Sequence, residues 1–171
     1  MREKQLRQVL VGEILNFMFE SLETVRYQIQ EVLRVEAVTD ELGIQREIET
    51  YNRLLGAPGE LGCTLLVELG GDAAAHSLEA LAELERTLYL RMPSGQRVHA
   101  DSSSERSAQR LSLVQFLSFA VHGVAPVAVG CAHPLVRAEA SLALEQRRAL
   151  QRDLSLGLSQ PCGDGIRACE R

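Results

Sequence analysis

The chain has 171 residues with 46% hydrophobic and 24% charged side chains, which is the composition of a globular protein and the length of one domain. Its net charge of −5 opposes binding to a phosphate backbone, so nucleic acid is excluded as an expected partner. No apolar run is long enough to span a bilayer and the first residues lack a secretory pattern, so we expect a cytoplasmic protein with no membrane partner and with its four cysteines reduced.

The first third of the chain alternates short strands with amphipathic helices. β-Branched and aromatic residues on either side of Gly12 predict two strands, and Ser21 offers an N-cap to the helix that follows. Asp40 or Thr39 can cap a second helix, which Gly56 ends. The predicted elements are strands at 8–11 and 16–20, a helix at 22–38 and a second helix with Ile44, Ile48, Tyr51 and Leu55 on one face.

The rest of the chain predicts more strands, two more helices and a polar tail. The run CTLLVEL at 63–69 is almost continuously apolar, which is typical of a strand covered on both faces. A helix from residue 70 to about 84 and a strand at 87–92 follow, then a hairpin into 96–101, strands at 112–121 and 126–131, and a helix between 141 and 154. Residues 155–171 have the composition of a disordered tail.

Together these elements predict an α+β fold. We expect a single globular domain at residues 1–154, with a mixed or mostly antiparallel sheet of about six strands and with helices mainly on one side of it.

Glu36 is the side chain whose position in the first helix is unexpected. At 100 degrees per residue it falls in the apolar stripe formed by Val25, Ile29, Val32 and Leu33. A buried carboxylate must pair with a cation or take up a proton, which makes Glu36 a candidate site residue. With Arg26 and Gln30 from the same helix and Tyr51 and Asn52 from the next, it could form a polar cluster. Alternatively, the helix ends near Val35 and Glu36 turns to water.

Metal ligation has one weak pair of candidates, Cys131 and His133 in the sequence GCAHP. Two donors do not make a metal site. The sequence also lacks the nucleophile elbow, the phosphate-binding P-loop, the H-E-x-x-H motif and the dinucleotide-binding fingerprint. It therefore leaves the cofactor unknown and leaves open whether the protein is an enzyme.

Five segments together resemble the bacterial family called domain of unknown function 3501. They are VRYQIQEVLRVE, IQREIETYNRLL with its following Gly/Pro loop, CTLLVEL, SLVQFLSF and PVAVGCAHP. The resemblance covers most of residues 7–154 and places Arg26, Gln30, Glu36, Tyr51 and Asn52 within the polar signature of the family. One departure is Ala132, which stands where the family often has an acidic residue before the histidine.

The resemblance implies a cytosolic bacterial protein encoded beside rubrerythrin-like proteins and iron-sulfur oxidoreductases. We therefore expect an accessory or binding protein that acts with a redox or iron-sulfur partner. Such a protein should expose a contiguous apolar patch rimmed by polar groups. The alternative is a small enzyme or metal-binding protein whose polar site surrounds Glu36 and Arg26.

Overall fold

A computed structural model of the chain describes residues 2–68, 81, 83–101 and 113–158. Within these ranges the chain forms eight strands and five helices. The strands are β1 (Gln8–Val11), β2 (Leu15–Phe19), β3 (Leu61–Val67), β4 (Leu88–Arg91), β5 (Arg97–His99), β6 (Val114–Phe119), β7 (Ala128–Cys131) and β8 (Ala138–Ser141). The helices are α1 (Arg2–Gln5), α2 (Leu22–Val35), α3 (Glu41–Asn52), α4 (Leu84–Thr87) and α5 (Leu144–Leu158).

The strands divide into two antiparallel sheets of four. Sheet A has the order β1-β2-β3-β6 and sheet B the order β5-β4-β7-β8. Successive side chains of a strand point to opposite faces, so each sheet has one inner and one outer face. In sheet A the inner face carries fully buried residues such as Phe17, Leu65 and Phe119, and in sheet B it carries Leu88, Leu90 and Val129. The two inner faces form one hydrophobic core.

The two sheets also meet at their edges. Beyond β5, the backbone of Asp101 bridges to Ser118 of β6. At the other edge, β1 packs against β7 and β8. Helix α5 contributes Leu150 and Leu154 to the same core, and its polar side chains bond to the start of β1 and to the loop after β6. The described strands of the two sheets therefore surround a common core, to which α5 adds side chains.

Helices α2 and α3 pack against each other around a second, smaller core. Val25 and Ile29 of α2 meet Ile48 of α3, as the apolar periodicity of the two helices predicts. Ser21 and Thr24 form a reciprocal capping box at the start of α2. The partly buried residues packed around this core are Leu33, Ile44, Tyr51, Leu54 and Leu55.

The predicted α+β class and antiparallel pairing are confirmed, but the part of the chain that the structure describes forms eight strands in two sheets rather than one sheet of about six strands. The sequence analysis missed β8, whose short AEAS segment has low strand propensity. The strands predicted on either side of a helix after residue 69 belong to different sheets, and that helix lies almost entirely outside the described residues. Helix α5 continues to Leu158, and the remainder of the predicted tail also lies outside the described residues.

Candidate functional site

Glu36 is not buried. Helix α2 ends at Val35, and Glu36 is its C-cap residue, with an exposed side chain. Of the two alternatives left open by the sequence, the structure therefore has the second, in which the helix ends at Val35 and Glu36 turns to water. Arg26 and Gln30 are also exposed on α2. Participation of these three side chains in a catalytic site stays a prediction.

Tyr51 and Asn52 lie at the end of α3 and are half-buried. Burial raises the pKa of Tyr51, and the negative charges of Glu47 and Glu36 raise it further, so Tyr51 is the member of the predicted cluster that Glu36 influences. Asn52 lines a cleft of about 340 Å³ beside Gly62 and Leu117, and within the described ranges its buried Oδ1 has no hydrogen-bond partner. Asn52 thus lines the cleft, whereas Tyr51 packs against the smaller core of α2 and α3, and a site that they share with Arg26 stays a prediction.

Cys131 ends β7 and His133 follows two residues later. The hydrogen bond between them uses the backbone N–H of His133 and not its ring. The Cys131 Sγ accepts the His133 N–H at 3.4 Å and lies 3.5 Å from Thr87 Oγ1. The His133 Nδ1 accepts the Leu135 N–H at 3.3 Å, which leaves only Nε2 for another partner. Both side chains are buried. Across the described ranges, no group of three His, Cys, Asp or Glu side chains is placed to hold a metal ion.

The outer face of sheet A is largely apolar and open to solvent. Its strand register sets Leu10, Asn16, Leu66 and Val114 in one row and Met18, Thr64 and Phe116 in the next. The exposed fractions of the large apolar side chains are 53% for Leu10, 39% for Leu66, 42% for Val114 and 40% for Phe116. Directly and diagonally paired side chains on one face are neighbours, so these residues and Met18 form a continuous patch. We call this patch the open face.

A buried carboxylate marks one border of the open face. Glu20 is 5% exposed, and its two oxygens accept hydrogen bonds from three neutral donors in the described part of the chain. These donors are Thr24 Oγ1 at 2.8 Å, Gln28 Nε2 at 3.1 Å and Thr64 Oγ1 at 2.7 Å. Because Thr64 pairs directly with Phe116 on the outer face of sheet A, this Glu20 cluster adjoins the apolar patch.

The sequence analysis missed Glu20 because the strand prediction ended on it and gave no partner for its side chain. One signal was present. Thr24 and Gln28 follow Glu20 at intervals of four, a spacing that sets polar side chains on one side of a helix start. The contact with Thr64 joins residues far apart in the chain, and no local pattern could have shown it.

The outer face of sheet B is charged rather than apolar. The ring of Tyr89 lies over Gly130, where a Cβ would come within 2.3 Å of the ring. The Tyr89 hydroxyl donates to Glu139 at 3.0 Å, and Arg91 Nε donates to the same carboxylate at 3.0 Å. The guanidinium of Arg97 lies 4.0 Å from the Tyr89 ring centre. We call the surface formed by Tyr89, Arg91, Arg97 and Glu139 the basic face.

Electrostatics within the basic face keep Glu139 ionised. The hydrogen bond from Arg91 lowers the pKa of Glu139, with further lowering from the Tyr89 hydroxyl and the charge of Arg97. Burial raises the pKa of Tyr89, and its hydrogen bond to Glu139 raises it further. Tyr89 therefore stays a neutral hydrogen-bond donor and Arg91 neutralises Glu139.

The fold defines the class of this protein, which is an α+β protein of two packed antiparallel sheets. Among its described residues, no helix is long and apolar enough to cross a membrane. A family model, "Protein of unknown function (DUF3501)", matches residues 1–154. The chain belongs to this family.

The structural comparison agrees with the family assignment. The crystal structure at 1.90 Å of a novel protein of unknown function from Burkholderia pseudomallei K96243 is similar to this chain, with 32% sequence identity and a TM-score of 0.79. The match covers 89% of this chain and 86% of the other. No curated protein matches the chain. The family and the fold of the chain are thereby shown.

Proposed function

We propose that this protein is a non-catalytic binding protein that docks on a partner protein through the open face of sheet A. The observation that carries the proposal is that exposed apolar side chains are adjacent on that face. Leu66 and Val114 are direct neighbours across two strands, and Phe116 is diagonal to Leu66. β3 was expected to be covered on both faces, yet Leu66 on its outer face is exposed. An apolar strand residue exposed in this way is available to another molecule.

The energetics favour a protein partner. Burying apolar surface contributes about 25 cal/mol per Å², so covering several half-exposed Leu, Val and Phe side chains supplies several kcal/mol before the costs of association. The rim is polar, as interfaces require, because Asn16 donates to Glu68 at 2.9 Å on one side and the Glu20 cluster lies on the other. The open face thus combines an apolar centre with a polar border.

We further propose that the partner is a redox protein of the rubrerythrin-like or iron-sulfur oxidoreductase class. This part of the proposal rests on the neighbouring genes that the family resemblance implies. The position of the docking surface rests on the geometry of sheet A. The two parts are therefore tested separately.

The position of the surface is tested with a photo-crosslinking amino acid placed at position 66 in cells that encode the protein. We expect a discrete adduct whose mass identifies one partner, and we expect Phe116→Glu, which puts a charge into the patch diagonal to Leu66, to abolish it. The matched control carries the crosslinker at position 42, because Leu42 is 73% exposed on α3 and lies outside the open face. Equal adducts from both positions, or an adduct that Phe116→Glu leaves unchanged, would contradict docking at this surface.

The identity of the partner is tested by calorimetric titration of the purified chain with the purified rubrerythrin-like and iron-sulfur proteins of the same organism. We expect binding to one of them that Leu66→Glu weakens by about 100-fold, the loss typical of a buried interface anchor. Leu42→Glu should bind as the parent does. If neither protein binds, the redox assignment is wrong even where crosslinking confirms the surface.

A further inference from the structure

We propose that the basic face of sheet B is a second docking surface, which binds a carboxylate-rich segment of a partner protein through the guanidinium of Arg97. This proposal is independent of docking at the open face, because the two surfaces are the outer faces of different sheets. It is carried by the way Arg97 is held and by the charge of its surroundings.

Arg97 is fixed in place by an aromatic ring rather than by an acid. Its guanidinium lies 4.0 Å from the Tyr89 ring centre, and it forms no ion pair with any residue in the described ranges. Arginine stacked in this manner keeps its N–H groups directed outward in the plane of the guanidinium. Those donors match the two oxygens of a carboxylate.

The Tyr89 ring is itself held rigidly. It lies over Gly130, which has no side chain in its way, and its hydroxyl bonds to Glu139 at 3.0 Å. The Tyr89 residue is 4% exposed, so the ring has little freedom to move. A rigid aromatic support reduces the conformational entropy that Arg97 loses when it binds a ligand.

The charge of the basic face selects an acidic ligand. Arg91 forms an ion pair with Glu139, while Arg97 is exposed and forms no ion pair with a described residue. The surface thus has surplus positive charge in a chain whose net charge is −5, which makes it complementary to an acidic segment. Arginine is also among the residue types that dominate binding energy at interfaces.

The test is fluorescence anisotropy of a labelled oligoglutamate peptide titrated with the full chain at low salt. We expect saturable binding that Arg97→Glu weakens by about tenfold or more, because the reversed charge repels the carboxylates. Arg34→Glu is the matched control, since Arg34 is 70% exposed on α2 and undergoes the same change of charge outside the basic face. Equal losses of affinity in the two variants would overturn the proposal, because they would show nonspecific electrostatic attraction rather than binding at the basic face. Absence of saturable binding to the parent would also overturn it.

Two more variants separate the geometry of the site from its charge. Tyr89→Leu removes the ring beneath Arg97 without changing any charge, so it should weaken binding of the peptide, and unchanged binding would contradict the role of the ring. Arg97→Lys keeps the charge but loses the planar arrangement of donors, so it should bind more weakly. If Arg97→Lys binds as tightly as the parent, the guanidinium has no special role and the proposal fails.

Other occupants of the basic face give distinct results. Tighter binding of a single-stranded oligonucleotide than of oligoglutamate, lost in Arg97→Glu, would assign the face to nucleic acid and overturn the proposal. Self-association in sedimentation velocity that Arg97→Glu abolishes would assign it to a second copy of the chain, with the same consequence. A monomeric parent that prefers oligoglutamate supports the proposal.

Discussion

Two glycines show how single residues shape the outer faces of the sheets. A Cβ at Gly130 would meet the ring of Tyr89, and a Cβ at Gly62 would lie 2.0 Å from the carbonyl oxygen of Leu54. Glycine in the middle of a strand marks a place where another group approaches closely. Gly62 therefore allows the loop after α3 to lie on sheet A, and Gly130 allows Tyr89 to lie flat on sheet B.

We expect Gly62→Ala to lower the free energy of unfolding by about 3 kcal/mol, because the neighbour it meets is backbone and cannot move aside cheaply. Urea denaturation monitored by circular dichroism measures the change. Gly157→Ala in α5 is the control, since a Cβ there meets nothing within 4 Å, and it should raise stability by up to about 1 kcal/mol. A tolerated Gly62→Ala would mean that the loop does not contact β3 as described.

At the residue scale, the sequence pattern singled out the carboxylate of Glu36 but not that of Glu20. Helical phase placed Glu36 in the apolar stripe of α2, and phase alone cannot show that the helix ends one residue earlier. Glu20 is buried because Thr64, on another strand, supplies a hydrogen bond. Burial of a polar side chain depends on donors that the fold brings to it, so sequence reasoning found the exposed carboxylate and missed the buried one.

The elements themselves follow from local signals, and the start of α2 is the clearest example. Ser21 was expected as the N-cap, and its Oγ accepts the Thr24 N–H at 3.2 Å while the Thr24 hydroxyl accepts the Ser21 N–H at 2.9 Å. Asp40 caps α3 through the Gly43 N–H at 2.8 Å. Both caps satisfy backbone donors that a helix leaves unpaired.

The two caps should contribute unequally to stability. We expect Ser21→Ala to cost between about 1 and 2 kcal/mol, since Ser21 and Thr24 are buried and the Thr24 N–H would lose its acceptor away from water. Asp40→Ala should cost about 0.5 kcal/mol, because water replaces the lost bond at an exposed cap. Chemical denaturation of both variants measures the difference. Equal costs would contradict the burial of the α2 cap.

At the scale of the whole molecule, a buried ion pair joins the two ends of the described chain. Arg7 is 3% exposed and donates to Asp153 of α5 through Nε at 2.8 Å and a second nitrogen at 3.0 Å, and it also donates to Glu3 at 2.6 Å. Burial alone would lower the pKa of Arg7, but the hydrogen bonds that Arg7 donates to the carboxylates of Asp153 and Glu3 raise it. The hydrogen bond from Arg7 likewise lowers the pKa of Glu3. The stability that ionised Glu3 contributes to the fold is therefore fully present above the ordinary pKa of a glutamate. It is lost as the pH falls through the lowered pKa of Glu3.

We expect Asp153→Ala to destabilise the protein by about 3 to 5 kcal/mol, because it leaves a guanidinium buried without its main partner. The double variant Arg7→Met with Asp153→Leu should recover most of that loss, since apolar residues of similar volume remove the buried charge. Thermal and urea unfolding of the single and double variants give the comparison. Glu31→Ala, which breaks the exposed pair with Arg34, should change stability by less than about 0.5 kcal/mol. No recovery in the double variant would contradict this account.

The sequence by itself determined the α+β class, the paired helices α2 and α3 and most strand positions, because periodicity, caps and turn residues act between neighbours in the chain. Only the tertiary structure decided that the strands form two sheets, that Leu66 and Phe116 are exposed and that Arg97 stacks on Tyr89. These features depend on strand pairing between distant segments, such as β3 with β6 and β4 with β7. An apolar strand looks the same in sequence whether one of its faces is covered or open, and that difference defines the surfaces proposed to bind partners.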